Sequence, residues 1–155
     1  MKSKWLCFVC LVTVVAFAAK RSDFGGSWEF NADKSKNIGM MAQIKMTQTI
    51  RQSDTSLEVV SHTTFQGSDR DLNTHYDLTG KQVSNESPMA GPSETVSKWE
   101  ADKLITTWTS ESAVAGGEKV VRTETRVLSA DGRTMTVESV RGANPPVVMV
   151  FDKTR

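Results

Sequence analysis

Residues 23–30 read DFGGSWEF, and they follow directly on an apolar N-terminal run. Two glycines stand before Trp28, and Trp28 and Phe30 lie two apart with Glu29 between them. Spacing of two places both aromatics on one side of an extended chain. Gly25 and Gly26 weaken a strand unless it must bend there or let another backbone come close. The stretch therefore reads as the first strand of a folded unit, with a bend at its start and a large ring turned into the core.

What precedes it reads as a leader. Lys2 and Lys4 give a positive start, Trp5 to Phe17 is apolar apart from Thr13, and Ala16-Phe17-Ala18 is a small-x-small cleavage signal. This predicts a secretory signal peptide over residues 1–19, and a single domain over 20–155. A membrane span needs about 20 apolar residues, and this shorter run meets Lys20 and Arg21 at once, so no stable membrane anchor is expected. Both cysteines, Cys7 and Cys10, lie in the leader. The remaining domain thus has no thiol for a disulfide, a zinc site or a nucleophile, and must rely on its core. The chain carries 19 basic and 18 acidic side chains. With Lys2 and Lys4 removed the balance is close to neutral, which argues against nucleic acid or an anionic membrane as a partner.

Downstream of Phe30 the apolar spacing stays at two. Ile44, Met46, Gln48 and Ile50 alternate with Lys45, Thr47, Thr49 and Arg51; Leu57, Val59, Ser61, Thr63 and Phe65 share one side, as do Leu72, Thr74, Tyr76 and Leu78. Such alternation marks strands with one buried face. Turn signals recur between the runs, with Asp131-Gly132 the strongest for a hairpin. Strands are expected at 24–30, 43–51, 56–65, 70–78, 81–86, 94–100, 103–110, 118–128, 133–141 and 147–153. Residues 31–42 are expected to form a loop or a short helical turn, and 85–93, with its prolines and glycine, a loop. Asn85-Glu86-Ser87 has the form of a glycosylation acceptor, although Pro88 follows it. Sequential short antiparallel strands hide their edges by closing on themselves. The expected fold is all-β: an antiparallel up-and-down meander barrel of about 8–10 strands.

On that frame Gly26-Ser27-Trp28 resembles the Gly-x-Trp signature of the calycins, the lipocalins and fatty-acid-binding proteins. Phe24, Gly26 and Trp28 resemble the Phe-x-Gly-x-Trp first strand of the fatty-acid-binding branch. The chain is also similar to small exported lipocalin-like proteins of bacteria. The resemblance implies a calycin-like barrel, with Gly26 and Trp28 closing one end and Lys153 or Arg155 packed over the Trp28 ring. Two departures stand out. Residues 31–42 are too few for the helical hairpin of the fatty-acid-binding branch. The last strand, VVMVFDKTR, has Met149 and Phe151 where that branch carries an Arg-x-Tyr carboxylate clamp.

The inferred inner face mixes apolar residues with Gln48, Ser61, Thr63, Tyr76, Thr106, Thr123 and Thr125. Buried hydroxyls without partners are costly, so the mixture favours a cavity over a filled core. Trp99 and Trp108, flanking the hairpin WEADKLITTW, are expected with Tyr76 and Met149 to wall that cavity. In KVVRTETRV, Val121, Thr123, Thr125 and Val127 are placed inside, and Arg122, Glu124 and Arg126 on the solvent face. The inverse register would turn the two arginines into the cavity as anion anchors. His62 and His75 fall on the polar side of their strands and are expected at the surface. No catalytic residues, metal site or cofactor are indicated: the chain has no nucleophile elbow, zincin helix, P-loop or dinucleotide fingerprint.

These features point to an exported, periplasmic or secreted, monomeric binding barrel for a small hydrophobic or amphipathic ligand. Two alternatives stay open. One is an interaction or inhibitor barrel working through loops 31–42 and 85–93, with Met40, Met41 and Met89 as apolar contacts. The other is an isomerase-type enzyme using Tyr76 or His75 inside the cavity.

Overall fold

The structure, a computed structural model, describes residues 21–87, 91–112 and 117–154. The expected leader, Arg155, Met89 and the cleavage site lie outside the described residues. Ten strands follow one another: β1 Gly26–Phe30, β2 Lys45–Gln52, β3 Ser56–Phe65, β4 Ser68–Asp77, β5 Val83–Ser87, β6 Gly91–Glu100, β7 Lys103–Glu111, β8 Lys119–Leu128, β9 Thr134–Arg141 and β10 Val147–Lys153. They form one antiparallel sheet in the order β4-β3-β2-β1-β10-β9-β8-β7-β6-β5. Each strand pairs with its sequence neighbours except at one place, and the two ends of the chain add a further pairing. β1 closes onto β10, with Phe30 opposite Phe151 and Trp28 opposite Lys153. No backbone ladder joins β4 to β5, so the meander is a barrel with one seam.

The expected 85–93 loop is shorter than its composition implies. Asn85, Glu86 and Ser87 pair with Ser93, Pro92 and Gly91, leaving only 88–90 between the strands. The expected loop or turn at 31–42 contains a short 3-10 helix, Gly39–Gln43. Before it, Lys36 bridges to Val148 on the edge of β10 that β1 leaves uncovered.

One end of the barrel is solid. Phe24, Trp28, Leu57, Met135 and Phe151 have no exposed surface. Trp28 donates from Nε1 to the Phe24 carbonyl at 2.9 Å, and Phe24 stacks on Trp99 with ring centroids 5.9 Å apart. The Gln52 amide holds this N-terminal plug from both sides, accepting from Phe24 N–H and donating to the Ser22 carbonyl, each at 2.9 Å. Lys153 lies over the Trp28 ring, its Nζ 5.0 Å from the centroid. Gly26 makes that contact possible: its φ is 127°, and a Cβ there would stand 2.8 Å from Lys153 Cε. The second glycine of DFGGSWEF thus serves a cation–π lid on the tryptophan.

The seam is closed by a side chain. Asn85 Oδ1 accepts from the His75 backbone N–H at 2.9 Å, and its Nδ2 donates to the His75 carbonyl at 2.7 Å and to Thr95 Oγ1 at 2.8 Å. A carboxamide has the same donor and acceptor as a peptide group, so Asn85 stands in for a missing rung. This engagement also occupies the amide of the Asn85-Glu86-Ser87 sequence. Arg70 and Glu86 add an exposed ion pair across the seam at 3.2 Å, a contact of small energetic weight. Asn85→Leu is expected to speed amide exchange at His75 by about 10- to 100-fold, the loss of one to two hydrogen bonds, and to leave β2 and β3 unchanged. Unaltered exchange at His75 would mean that the side chain does not hold the seam.

Candidate ligand site inside the barrel

The site is built around β8, and its register is the inverse of the one expected. Arg122, Glu124 and Arg126 stand opposite Trp108, Thr106 and Leu104 of β7, and opposite Arg141, Ser139 and Val137 of β9. Directly paired residues share a face of the sheet, and Trp108, Thr106, Leu104 and Val137 are buried. The charged triplet therefore lines the interior. Thr123 and Thr125 point outward, paired with Thr107 and Ile105, and line no cavity. Val121, expected inside with them, is 51% exposed.

Burying Arg126 is possible because its charge is met on several sides. Its Nη2 donates to Glu124 Oε1 at 3.2 Å. The guanidinium carbon lies 5.5 Å from the Tyr76 ring centroid and 6.0 Å from that of Phe24. Arg126 is 4% exposed, yet its Nη1 has no hydrogen-bond partner, and neither does the buried Nε1 of Trp108. Arg122 sits over the Trp108 ring at 4.7 Å, and Trp108 meets Tyr76 edge-on at 6.0 Å. The result is two arginines, one carboxylate and two aromatic walls, with uncommitted donors facing inward. Two cations against one anion leave the cluster with an excess positive charge. Burial pushes the Tyr76 phenol well above its ordinary pKa, and the Glu124 charge adds to this, while Arg126 and Arg122 oppose it. Tyr76 stays protonated and can donate, but it is a poor acid or base near neutrality.

Beyond this cluster the inner face reaches solvent. Met46, Gln48, Ser61, Thr63, Ser139 and Met149 sit on the inner face by their pairings, yet each is only half-buried. Residues that face inward and still reach solvent line a mouth. Of the expected cavity residues, Gln48, Ser61 and Thr63 stand together on β2 and β3, Gln48 opposite Ser61 and next to Trp28. Met149 faces in from β10, opposite Val137, and Tyr76 and Trp108 form the deeper aromatic wall.

Two expected wall residues have other duties. Thr106 exchanges a buried hydrogen bond with Ser97 at 2.9 Å, so its hydroxyl is already satisfied. Trp99 belongs to the plugged end, between Phe24 and Arg21, whose guanidinium lies 5.6 Å from its ring. It does not join Tyr76 and Trp108. Both histidines lie on the outer surface, His62 bonded to Asp71 at 2.6 Å and His75 to Glu58. His75 therefore brings no titrating group to the interior. Among the described residues no cluster of three or more histidines, cysteines or carboxylates is placed to hold a metal ion.

The sequence reading favoured Arg122, Glu124 and Arg126 on the solvent face and kept the two arginines inside only as the inverse register, although a signal for the interior was present. In RTETR two cations bracket one anion at period two, a compensated set, whereas the alternate positions are threonines, which do well on an exposed strand face.

No protein-family model matches the chain, and no curated protein matches it in sequence. Solved structures do match in fold. A mutant of the fluorescent protein UnaG superposes with a TM-score of 0.65 at 14% identity, over 85% of this chain and 96% of that one. Fatty-acid-binding protein 1 of Echinococcus granulosus gives 0.65 at 14% identity, over 85% and 98%. The REP1-NXSQ fatty acid transporter gives 0.62 at 14% identity, over 84% and 96%. At this identity the likeness is one of fold: the chain shares with these proteins an antiparallel barrel, here of ten strands.

Proposed function

We propose that the protein is an exported, monomeric carrier that sequesters a small amphipathic ligand, its acidic group held by Arg126 and Arg122 and its apolar body in the barrel. The observation that carries this reading is the pair of buried, unpartnered donors, Arg126 Nη1 and Trp108 Nε1, on the inner face. A buried guanidinium nitrogen without an acceptor is costly, and an anion supplies what is missing. Arg122, Tyr76 and Trp108 bound the head group, and Gln48, Ser61, Thr63 and Met149 line the way to the mouth. Retention in a half-dry site, with no step of bond chemistry, is the mechanism. The lipid-related names of two structures with the same fold support the reading, and the sequence of residues 1–19 supports export.

Native mass spectrometry of the protein purified from its own source, followed by organic extraction, tests this. A co-purifying acid released on denaturation is the expected result. A protein that carries no small molecule and does not take up anilinonaphthalene sulfonate, an anionic lipophilic dye, would rule the carrier out and turn attention to its loops. N-terminal sequencing of the same preparation should begin at Ala19 or Lys20; an intact leader would contradict export.

A further inference from the structure

Two further buried polar atoms lack a partner: the Nε1 of Trp99, in the plugged end, and the Oε1 of Gln48, the one acceptor of the set. At the other end of the amide, Nε2 donates to Met46 Sδ at 3.9 Å. The carbonyl is thus the free end. Arg126 and Trp108 need acceptors, whereas Gln48 needs a donor. An unsubstituted fatty acid can satisfy the first two with its carboxylate. Its chain can offer Gln48 nothing but methylene groups.

The strand order places the two requirements far apart. Between Gln48 on β2 and Arg126 on β8 lie β1, β10 and β9, so in a ten-stranded barrel the two residues stand almost opposite one another. A group beside the carboxylate cannot serve both. The surroundings of Gln48 are also poorly suited to a bare alkyl chain: Ser61 is its cross-strand partner, and Thr63 follows on the same face.

From this geometry we infer that the ligand is an acid bearing a hydrogen-bond donor, a hydroxyl or amide N–H, on its body at a distance from the acid group, with Gln48 as the residue that selects it. This rests on the proposed carrier function and narrows its ligand class.

The test compares dodecanoate with dodecanoates hydroxylated beside the carboxylate, at mid-chain and at the far terminus, by competition against anilinonaphthalene sulfonate. The protein is expected to bind the mid-chain or terminal hydroxy acid about tenfold tighter than dodecanoate, since a site with a polar group left unpaired discriminates against the analogue that lacks its mate. The acid hydroxylated beside its carboxylate should show no such gain. In Gln48→Leu, close in size, the preference for the hydroxy acid over dodecanoate should fall to about one. Near-ultraviolet circular dichroism of the tryptophans checks that this variant is folded.

Equal affinities for all four acids in the native protein would overturn the inference and leave the carrier function standing. A preference that survives in folded Gln48→Leu would overturn the assignment to Gln48. Failure of every acid to displace the dye would overturn both the inference and the acid-carrier reading beneath it.

Discussion

Trp28→Ala is expected to lower stability by about 3–5 kcal/mol, the usual cost of truncating a large buried aromatic. Domains of this size are stable by about 5–15 kcal/mol, so the loss takes a large part of the total. The ring is fully buried, and three neighbours depend on it. Phe24 loses the hydrogen bond to its carbonyl, Lys153 loses the face it covers, and Gln48 loses its cross-strand partner. Because Phe24 carries the Trp99 stack, the N-terminal plug should loosen with the ring. Urea denaturation monitored by the remaining tryptophans would show a lower midpoint. Trp28→Phe keeps an aromatic in place and gives up only the Nε1 donor and some volume, and should cost about half as much. A loss below about 1 kcal/mol for the alanine variant would mean that the barrel end is not held by this residue.

The second large effect concerns Arg126. Arg126→Leu should abolish uptake of an acidic ligand and should also destabilise the fold by about 3–5 kcal/mol, because Glu124 is left buried without its cation. The two consequences have different remedies. In the double variant Arg126→Leu with Glu124→Leu no charge of the pair remains, and replacing such a pair by apolar side chains is often close to neutral. Stability should therefore return to within about 1 kcal/mol of the native protein while dye uptake stays lost. Equal instability in the single and double variants would discount the stranded carboxylate as the cause. Undiminished dye binding in the double variant would remove Arg126 from the ligand site.

Much of the fold is legible in the chain because β-strands announce themselves locally. The span 56–65 is expected from five inward residues at period two, and the barrel contains a strand over those residues. The same holds for 147–153. Gly26 and Trp28 were readable as the closed end; the resemblance left Lys153 and Arg155 as alternatives over the tryptophan, and Lys153 is the residue found there. The loop reading of 85–93 failed because Ser, Asn, Pro and Gly are turn formers in general, whereas here Asn85 is used for its amide and Ser87 pairs with Gly91.

The candidate site was legible only in part, and for one reason. Gln48, Ser61, Thr63, Tyr76 and Trp108 lie on strands whose buried face is apolar enough to identify. Over the middle of β8 the two faces are Val-Thr-Thr-Val and Arg-Glu-Arg, and hydropathy over that span chooses the first as the core.

The sequence by itself determined that this is an antiparallel meander closed at one end by Trp28, since alternation, turn residues and the glycines before the tryptophan are local properties of the chain. Only the tertiary structure decided which face of β8 is inside. Burial of Arg126 is tolerable solely because Tyr76 from β4, Phe24 from the N-terminal plug and Glu124 from its own strand converge on it. A charge can be buried when such partners meet in space, and their meeting is set by strand order and register, which no stretch of the chain carries alone.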